Sequence, residues 1–133
     1  EYAVDYAIQY TSERQAFGKT LDSFQALRHK IAEMASRVEM CKEFNYSIAK
    51  RLNDGGYVVK EASMSKLLST KMADEVIYDA LQLLGGYGYM EEYPMARLLR
   101  DSRLGPIGGG TSEILKEIIA KIVIDGKEYK PVT

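Results

Sequence analysis

The sequence predicts an all-α fold, an up-down four-helix bundle with one short additional helix. Three observations predict it. Apolar residues recur every three or four positions through long stretches, glycine and proline cluster between those stretches, and no segment alternates with the two-residue period of a strand. With 133 residues and 46% hydrophobic content, the chain can bury a single core, and residues 1–133 read as one domain.

The elements follow in order. Residues 1 to about 17 carry Tyr2, Val4, Tyr6, Ala7, Ile8 and Tyr10 without glycine or proline, the pattern of a helix already under way, whose start is expected upstream of Glu1. Gly18 ends it, and Asp22 with Gln25 three residues on resembles a capping arrangement for the next helix. There Phe24, Leu27, Ile31, Met34, Val38, Cys41, Asn45, Ile48 and Leu52 recur in steps of three and four, a bundle seam that only Asn45 interrupts. Asn53-Asp54-Gly55-Gly56 stops that helix with residues that tolerate positive φ.

A third helix is expected from about Tyr57 to Leu84, with Met64, Leu68, Met72, Val76, Ala80 and Leu84 on one row and Leu67 and Leu83 beside it. The short turn before it makes the second and third helices antiparallel neighbours. Ala62, Ser63, Ser65, Ser69 and Ala73 flank the row and allow close approach of another backbone, within the chain or between subunits. Pro94 suits the first turn of a short helix to about Asp101, terminated at Gly105-Pro106. A last helix, capped by the hydroxyl of Thr111 or Ser112, runs to Ile124, Asp125-Gly126 ends it, and an irregular tail follows from Lys127 to Thr133.

Composition removes several functions. Eighteen Lys and Arg against nineteen Asp and Glu leave a net charge of -1, so no broad field favours a phosphate backbone or an anionic membrane, and nucleic acid is not an expected partner. The only cysteine, Cys41, has no partner for an internal disulfide, and the only histidine, His29, leaves no His/Cys cluster for zinc; a reduced, cytoplasmic compartment fits. The apolar run Ile118 to Ile124 is broken by Lys121 and falls well short of the roughly 20 residues of a membrane span.

Chemistry is expected at the glycine segments. Gly108, Gly109 and Gly110 strip side chains from backbone that leads into a capped helix, a place where a flat ring, a carbonyl or an anion can come close to free N–H groups; a flexible inter-helix loop is the other reading. Gly85, Gly86 and Gly88, with Tyr87 and Tyr89, repeat the theme. They follow a helix, whereas the dinucleotide fingerprint follows a strand, so that motif is excluded. Arg14, close to Phe17, is either a solvated charge or a guanidinium for a pyrophosphate whose neighbouring ring covers an apolar face. His29 lies on the polar side of its helix, and Cys41 lies on the seam as a core residue. Tyr87, Tyr89 and Tyr93 either stack on a ligand or pack between helices.

Five phrases then resemble, in order, the signature segments of acyl-CoA dehydrogenases. They are Glu13-Arg14-Gln15-Ala16-Phe17-Gly18-Lys19, Gln82-Leu83-Leu84-Gly85-Gly86-Tyr87-Gly88-Tyr89, Glu92-Tyr93-Pro94, Leu99-Arg100-Asp101 and Gly110-Thr111-Ser112-Glu113-Ile114. The resemblance covers the C-terminal helical domain of that family and implies that N-terminal helical and β domains stand outside this chain. It implies a homotetramer with FAD between subunits, this bundle contributing to its own flavin and to a neighbour's. Arg14 and Phe17 match the contacts to the FAD pyrophosphate and adenosine, with Gln25 in the same role. Gln82, Gly85 and Gly86 match the segment meeting the adenine end of a partner's FAD, and Thr111 and Glu113 flank the flavin.

The implied reaction is α,β-dehydrogenation of an acyl-CoA thioester, with electrons passing to an electron-transferring flavoprotein, in the cytoplasm or, in a eukaryote, the mitochondrial matrix. Many members carry the catalytic glutamate two residues before the threonine. Here Gly109 occupies that position and has no proton acceptor, so no catalytic residue is expected in this chain. Isovaleryl and long-chain types, which this chain resembles most in that loop, carry the glutamate on the helix before the Ala-Phe-Gly phrase, roughly three helical turns upstream of Glu1. Glu1 stands too close to Phe17 to serve, and Glu91 and Glu92 read as helix-start residues. Three readings follow: the C-terminal domain of an active dehydrogenase whose base lies elsewhere, a non-catalytic binding or assembly module descended from the family, or, with the same chemistry, an acyl-CoA oxidase, although the phrases match the dehydrogenase segments. The isolated 133 residues are expected not to dehydrogenate acyl-CoA, for want of the base and of the rest of the flavin site.

Overall fold

The computed structural model describes residues 1–129, and residues 130–133, the end of the expected irregular tail, lie outside the described residues. Six helices account for most of the described residues: α1 (Tyr2–Glu13), α2 (Gln25–Asn53), α3 (Val59–Leu84), α4 (Gly86–Tyr89), α5 (Pro94–Ser102) and α6 (Ser112–Val123). Between α1 and α2 lie two-residue strands, β1 (Gln15–Ala16) and β2 (Lys19–Thr20), and a short 3-10 turn over Leu21–Ser23. The all-α expectation holds.

Helix α3 is the axle of the fold, because α1, α2, α4, α5 and α6 all pack against it. Its row Val76, Ala80, Leu83 and Leu84 is buried, and Ala7 of α1, Met34 of α2 and Met95 of α5, each fully buried, close over that row. Small side chains on α1 and α3 bring the backbones close, and the two methionines fill the irregular space left between them. Thr11, fully buried on α1, donates its hydroxyl to the Ala7 carbonyl at 2.8 Å, so that polar group enters the core already satisfied.

Helices α2 and α3 run antiparallel. Their cross-links descend α3 as they climb α2: Lys30 to Asp79 at 2.5 Å, Arg37 to Glu75 at 3.5 Å, Asn45 to Ser65, and Arg51 to Glu61 at 3.2 Å. The ion pairs sit at the surface, where each contributes about 0–1 kcal/mol, so they fix register more than stability. Asn45, the one break in the apolar seam, is an exposed residue whose carboxamide accepts from the buried Ser65 hydroxyl. The seam also loses its last member, since Leu52 is 59% exposed beyond the end of the shared core. Of the small residues on α3, Ser65 therefore serves a contact inside the chain.

The structure differs from expectation at the first connection. Helix α1 ends at Glu13 rather than near residue 17, and Arg14 leaves it in extended conformation. The β1–β2 hairpin pairs Gln15 with Thr20 and Ala16 with Lys19 around a two-residue turn, Phe17-Gly18, in which both φ angles are positive, 52° and 81°. That is the handedness a tight hairpin needs, and Gly18 adopts it freely while Phe17 does not. Asp22 does not cap α2. It accepts from the Thr20 hydroxyl within the 3-10 turn, and α2 opens at Gln25 with Phe24 before it and no side-chain cap. Helix α4 over Gly86–Tyr89 is not among the expected elements, whereas α3, α5 and α6 fall within two residues of expectation, with Pro94 in the first turn of α5 and Thr111 capping α6 by accepting from the Ile114 N–H at 3.4 Å.

Candidate functional site

The residues singled out in the sequence gather in two places, one toward each end of α3. At its C-terminal end a cleft of about 550 Å3 is lined by Arg14, Gln82, Gly85 and Gly86, with Tyr10 and Tyr87 on its walls. Gly85 ends α3 at φ 58°, and a side chain there, or at Gly86, would project into open space, so bare backbone faces the cleft. Gly88 has another purpose. A Cβ at that position would lie 2.4 Å from the Leu81 carbonyl oxygen, so glycine is what lets α4 fold back onto α3.

Arg14 is the cation of this cleft. Among the described residues its guanidinium forms no ion pair, and it lies 5.5 Å from the centroid of the Tyr87 ring. Tyr87 is in turn packed against Tyr93 at 5.1 Å and Tyr10 at 6.3 Å, so the tyrosines both pack between helices and hold the arginine against a ring face. Burial pushes the Tyr10 hydroxyl above its ordinary value, a rise the Arg14 charge partly offsets, so the phenol stays neutral. Phe17 and Gln25 are outside the cleft wall, although Leu21 and Leu27 beside them line it. Phe17 is 96% exposed at the hairpin tip, 6.4 Å from Phe24. An exposed aromatic ring on strained backbone is a placement that packing does not explain.

The second place is the loop Gly108–Gly110 with the start of α6. Gly109 and Gly110 have φ of 61° and 92°. Lys66, from the first half of α3, donates to the Gly108 carbonyl at 2.6 Å and also to the Gly110 carbonyl. Among the described residues, the N–H groups of Gly109, Gly110 and Thr111 donate to no protein acceptor, whereas the Ser112 N–H is taken up by the Pro106 carbonyl at 3.0 Å. Free donors at a helix N-terminus suit a carbonyl oxygen or an anion. The exposed Glu113 carboxyl is held below its ordinary value, first by its own backbone N–H and then by the Thr111 hydroxyl. It is thus tied to the helix start.

Lys66 escaped the sequence reading. A signal was present, because its neighbours one helical turn away on either side, Ala62, Ser63, Ser69 and Thr70, include no acidic partner. His29 is exposed and Cys41 is buried, as expected. Among the described residues, no group of three or more His, Cys, Asp or Glu could hold a metal ion and no helix is long and apolar enough to cross a membrane.

The two places are separate. Lys66 and Gln82 stand sixteen positions apart on α3, about 24 Å along its axis. The architecture is thus an all-α domain that presents a guanidinium and bare backbone at one end and an array of free N–H groups at the other.

The chain belongs to the acyl-CoA dehydrogenase family: residues 1–124 match the model described as acyl-CoA dehydrogenase, C-terminal domain. An acyl-CoA dehydrogenase of Bacillus subtilis (strain 168) is 40% identical over 126 residues, which are 95% of this chain and 33% of that protein. A mitochondrial isovaleryl-CoA dehydrogenase of Bos taurus is 37% identical over 118 residues, 89% of this chain and 28% of that protein. Among solved structures, an FAD complex of PigA matches with a TM-score of 0.85 at 32% identity, covering 90% of this chain and 31% of that one. The chain thus spans about a third of the length of the curated relatives it matches. The expected family, including its likeness to an isovaleryl type, and the expected fold are both borne out.

Proposed function

We propose that the chain serves as the C-terminal domain of an FAD-dependent acyl-CoA dehydrogenase, contributing flavin binding and subunit assembly to α,β-dehydrogenation of an acyl-CoA thioester. The observation that carries this reading is the cleft uniting Arg14 with Gln82, Gly85 and Gly86, residues far apart in sequence that the family resemblance assigns to one end of the cofactor. Its chemistry fits. A guanidinium with no carboxylate partner suits a pyrophosphate, Gln82 offers an amide, and unscreened glycine backbone admits a flat ring. Phe17, exposed beside this cleft, and Gln25 would cover the adenosine part from outside its walls.

At the other end of α3, the free N–H groups of Gly109, Gly110 and Thr111 face a flavin or a thioester carbonyl, with Glu113 at the first turn beyond. When bound, FAD would accept the hydride from the substrate's β carbon. This chain's part is to bind, to orient and to offer hydrogen bonds to developing negative charge. The separation along α3 supports two flavin contacts, one to the subunit's own cofactor and one to a neighbour's, in a homotetramer that passes electrons to an electron-transferring flavoprotein. Gly109, at the position where many members carry the base, has no carboxylate, so proton removal would fall to the glutamate that the likeness to isovaleryl and long-chain types implies upstream of Glu1.

Calorimetric titration of the purified chain with ADP tests the cleft. The chain is expected to bind ADP, and Arg14→Ala to weaken binding about tenfold or more, the effect of one charge-assisted hydrogen bond. The same preparation with FAD is expected to show no acyl-CoA turnover. A chain that ignores ADP, or an Arg14→Ala variant that binds it equally well, defeats the cleft assignment.

A further inference from the structure

We propose that Lys66 is a positioning residue for the reaction, fixing the direction in which the glycine loop aims its free N–H groups. The inference rests on the reading of that loop as the flavin and thioester end of the domain. Lys66 spends its ammonium on two neutral acceptors, the Gly108 carbonyl at 2.6 Å and the Gly110 carbonyl, and among the described residues it forms no ion pair. The two acceptors bracket Gly109.

Peptide geometry supplies the consequence. Among the described residues no peptide bond is cis, and in a trans peptide the C=O of one residue and the N–H of the next point in opposite directions. Turning the Gly108 carbonyl toward Lys66 turns the Gly109 N–H away from it. Turning the Gly110 carbonyl toward Lys66 does the same for the Thr111 N–H. Neither N–H has a protein acceptor among the described residues, so one side chain sets two free donors to face the same way.

The clamp is needed because the loop's own backbone bonds, Gly108 N–H to the Leu104 carbonyl at 2.8 Å and Ser112 N–H to the Pro106 carbonyl at 3.0 Å, fix its two ends and leave Gly109 and Gly110 between them unheld. Gly109 and Gly110 lie at φ 61° and 92°, and glycine crosses to other conformations at little cost. No side chain at Gly109 touches the fold to restrain it, since even a Cβ there would meet nothing within 4 Å. Lys66 itself is partly buried on α3 with backbone bonds on both sides, and Thr70 donates its hydroxyl to the Lys66 carbonyl at 2.9 Å. It therefore ties the two glycines to the helix against which every other helix packs. Lysine is suited to this because its ammonium has three donors and two are used here.

The test has two arms. In the chain itself, Lys66→Met is expected to move the Gly108 and Gly110 carbonyl carbon resonances upfield and to broaden the Gly109 and Thr111 amide signals, while Lys66→Arg keeps both near their original positions. Unchanged carbonyl shifts in Lys66→Met overturn the clamp. In a complete dehydrogenase carrying this chain, Lys66→Met is expected to lower kcat roughly ten- to a hundredfold with KM for acyl-CoA little changed, and Lys66→Arg to restore most of it. Shifted resonances with an unaltered kcat overturn the positioning role and leave the domain assignment standing. A parent enzyme that fails to turn over acyl-CoA overturns the dehydrogenase reading instead, and the resonance arm still decides the clamp.

Discussion

Gly88 and Gly109, one from each glycine segment, are glycine for opposite reasons. Toward the C-terminal end of α3, Gly88 is glycine because there is no room: the Leu81 carbonyl stands 2.4 Å from where a Cβ would go. Near Lys66, Gly109 is glycine although there is room in every direction, and what it supplies is conformation and bare backbone. Packing against Leu81 holds Gly88 without help. The second depends on a side chain reaching from another element, so a substitution there is felt in orientation before it is felt in stability.

Substitution by alanine breaks the comparison most directly. Gly88→Ala forces α4 off α3 and is expected to destabilise the chain by about 1–3 kcal/mol, the cost of overpacking. Gly109→Ala meets no atom and is expected to cost only about 1 kcal/mol, the penalty of a left-handed conformation for an L residue. Urea denaturation of both variants measures the difference, and equal losses would show that Gly109 is held by packing after all.

A third glycine position does not exist where one would relieve strain. Phe17 is the only non-glycine residue with positive φ among those described, and it is 96% exposed, so its ring earns no burial. Phe17→Gly is expected to raise stability by about 1 kcal/mol while weakening ADP binding in the titration described above. A variant that is more stable and binds ADP as well as the parent would leave the strain without a purpose.

The smallest effect is at the α2–α3 register. Glu61 sits between Arg51 at 3.2 Å and Lys60 at 3.5 Å. Desolvation raises its carboxyl, but its own backbone N–H and these two cations outweigh that and bring it below its ordinary 4.5. A folded pKa below the unfolded one stabilises above pH 4.5 and loses that stabilisation as pH falls through the folded value. Denaturation at pH 7 and at pH 3 is therefore expected to show Glu61→Gln slightly less stable than the parent at pH 7 and closer to it at pH 3.

What the sequence made legible was whatever repeats or punctuates. The three-and-four spacing of α2, the Val76–Ala80–Leu84 row, the Thr111 cap and Pro94 were all readable because each acts within a turn or two of itself. The hairpin was not. Its strands are two residues long, too short for any alternation, and Phe17 is not a residue that announces a left-handed turn. Arg14 and Gln82 were each recognisable as phrases of a family, yet their meeting in one cleft is a product of α1 docking on α3. Lys66 lies further still from local rules, because its acceptors are carbonyls forty-two and forty-four positions away.

Helix α3 thereby acquires the character of a gauge. Both places are mounted on it, one through Lys66 and one through Gln82, so their spacing and their angle are set by helical pitch rather than by any loop. One residue inserted between those positions would advance the far end by about 1.5 Å and swing it through about 100°. The same insertion in the stretch 54–58, between α2 and α3, would be absorbed by a turn. Length in this chain is thus freely variable in the connection between α2 and α3 and quantised in the helix the two places share.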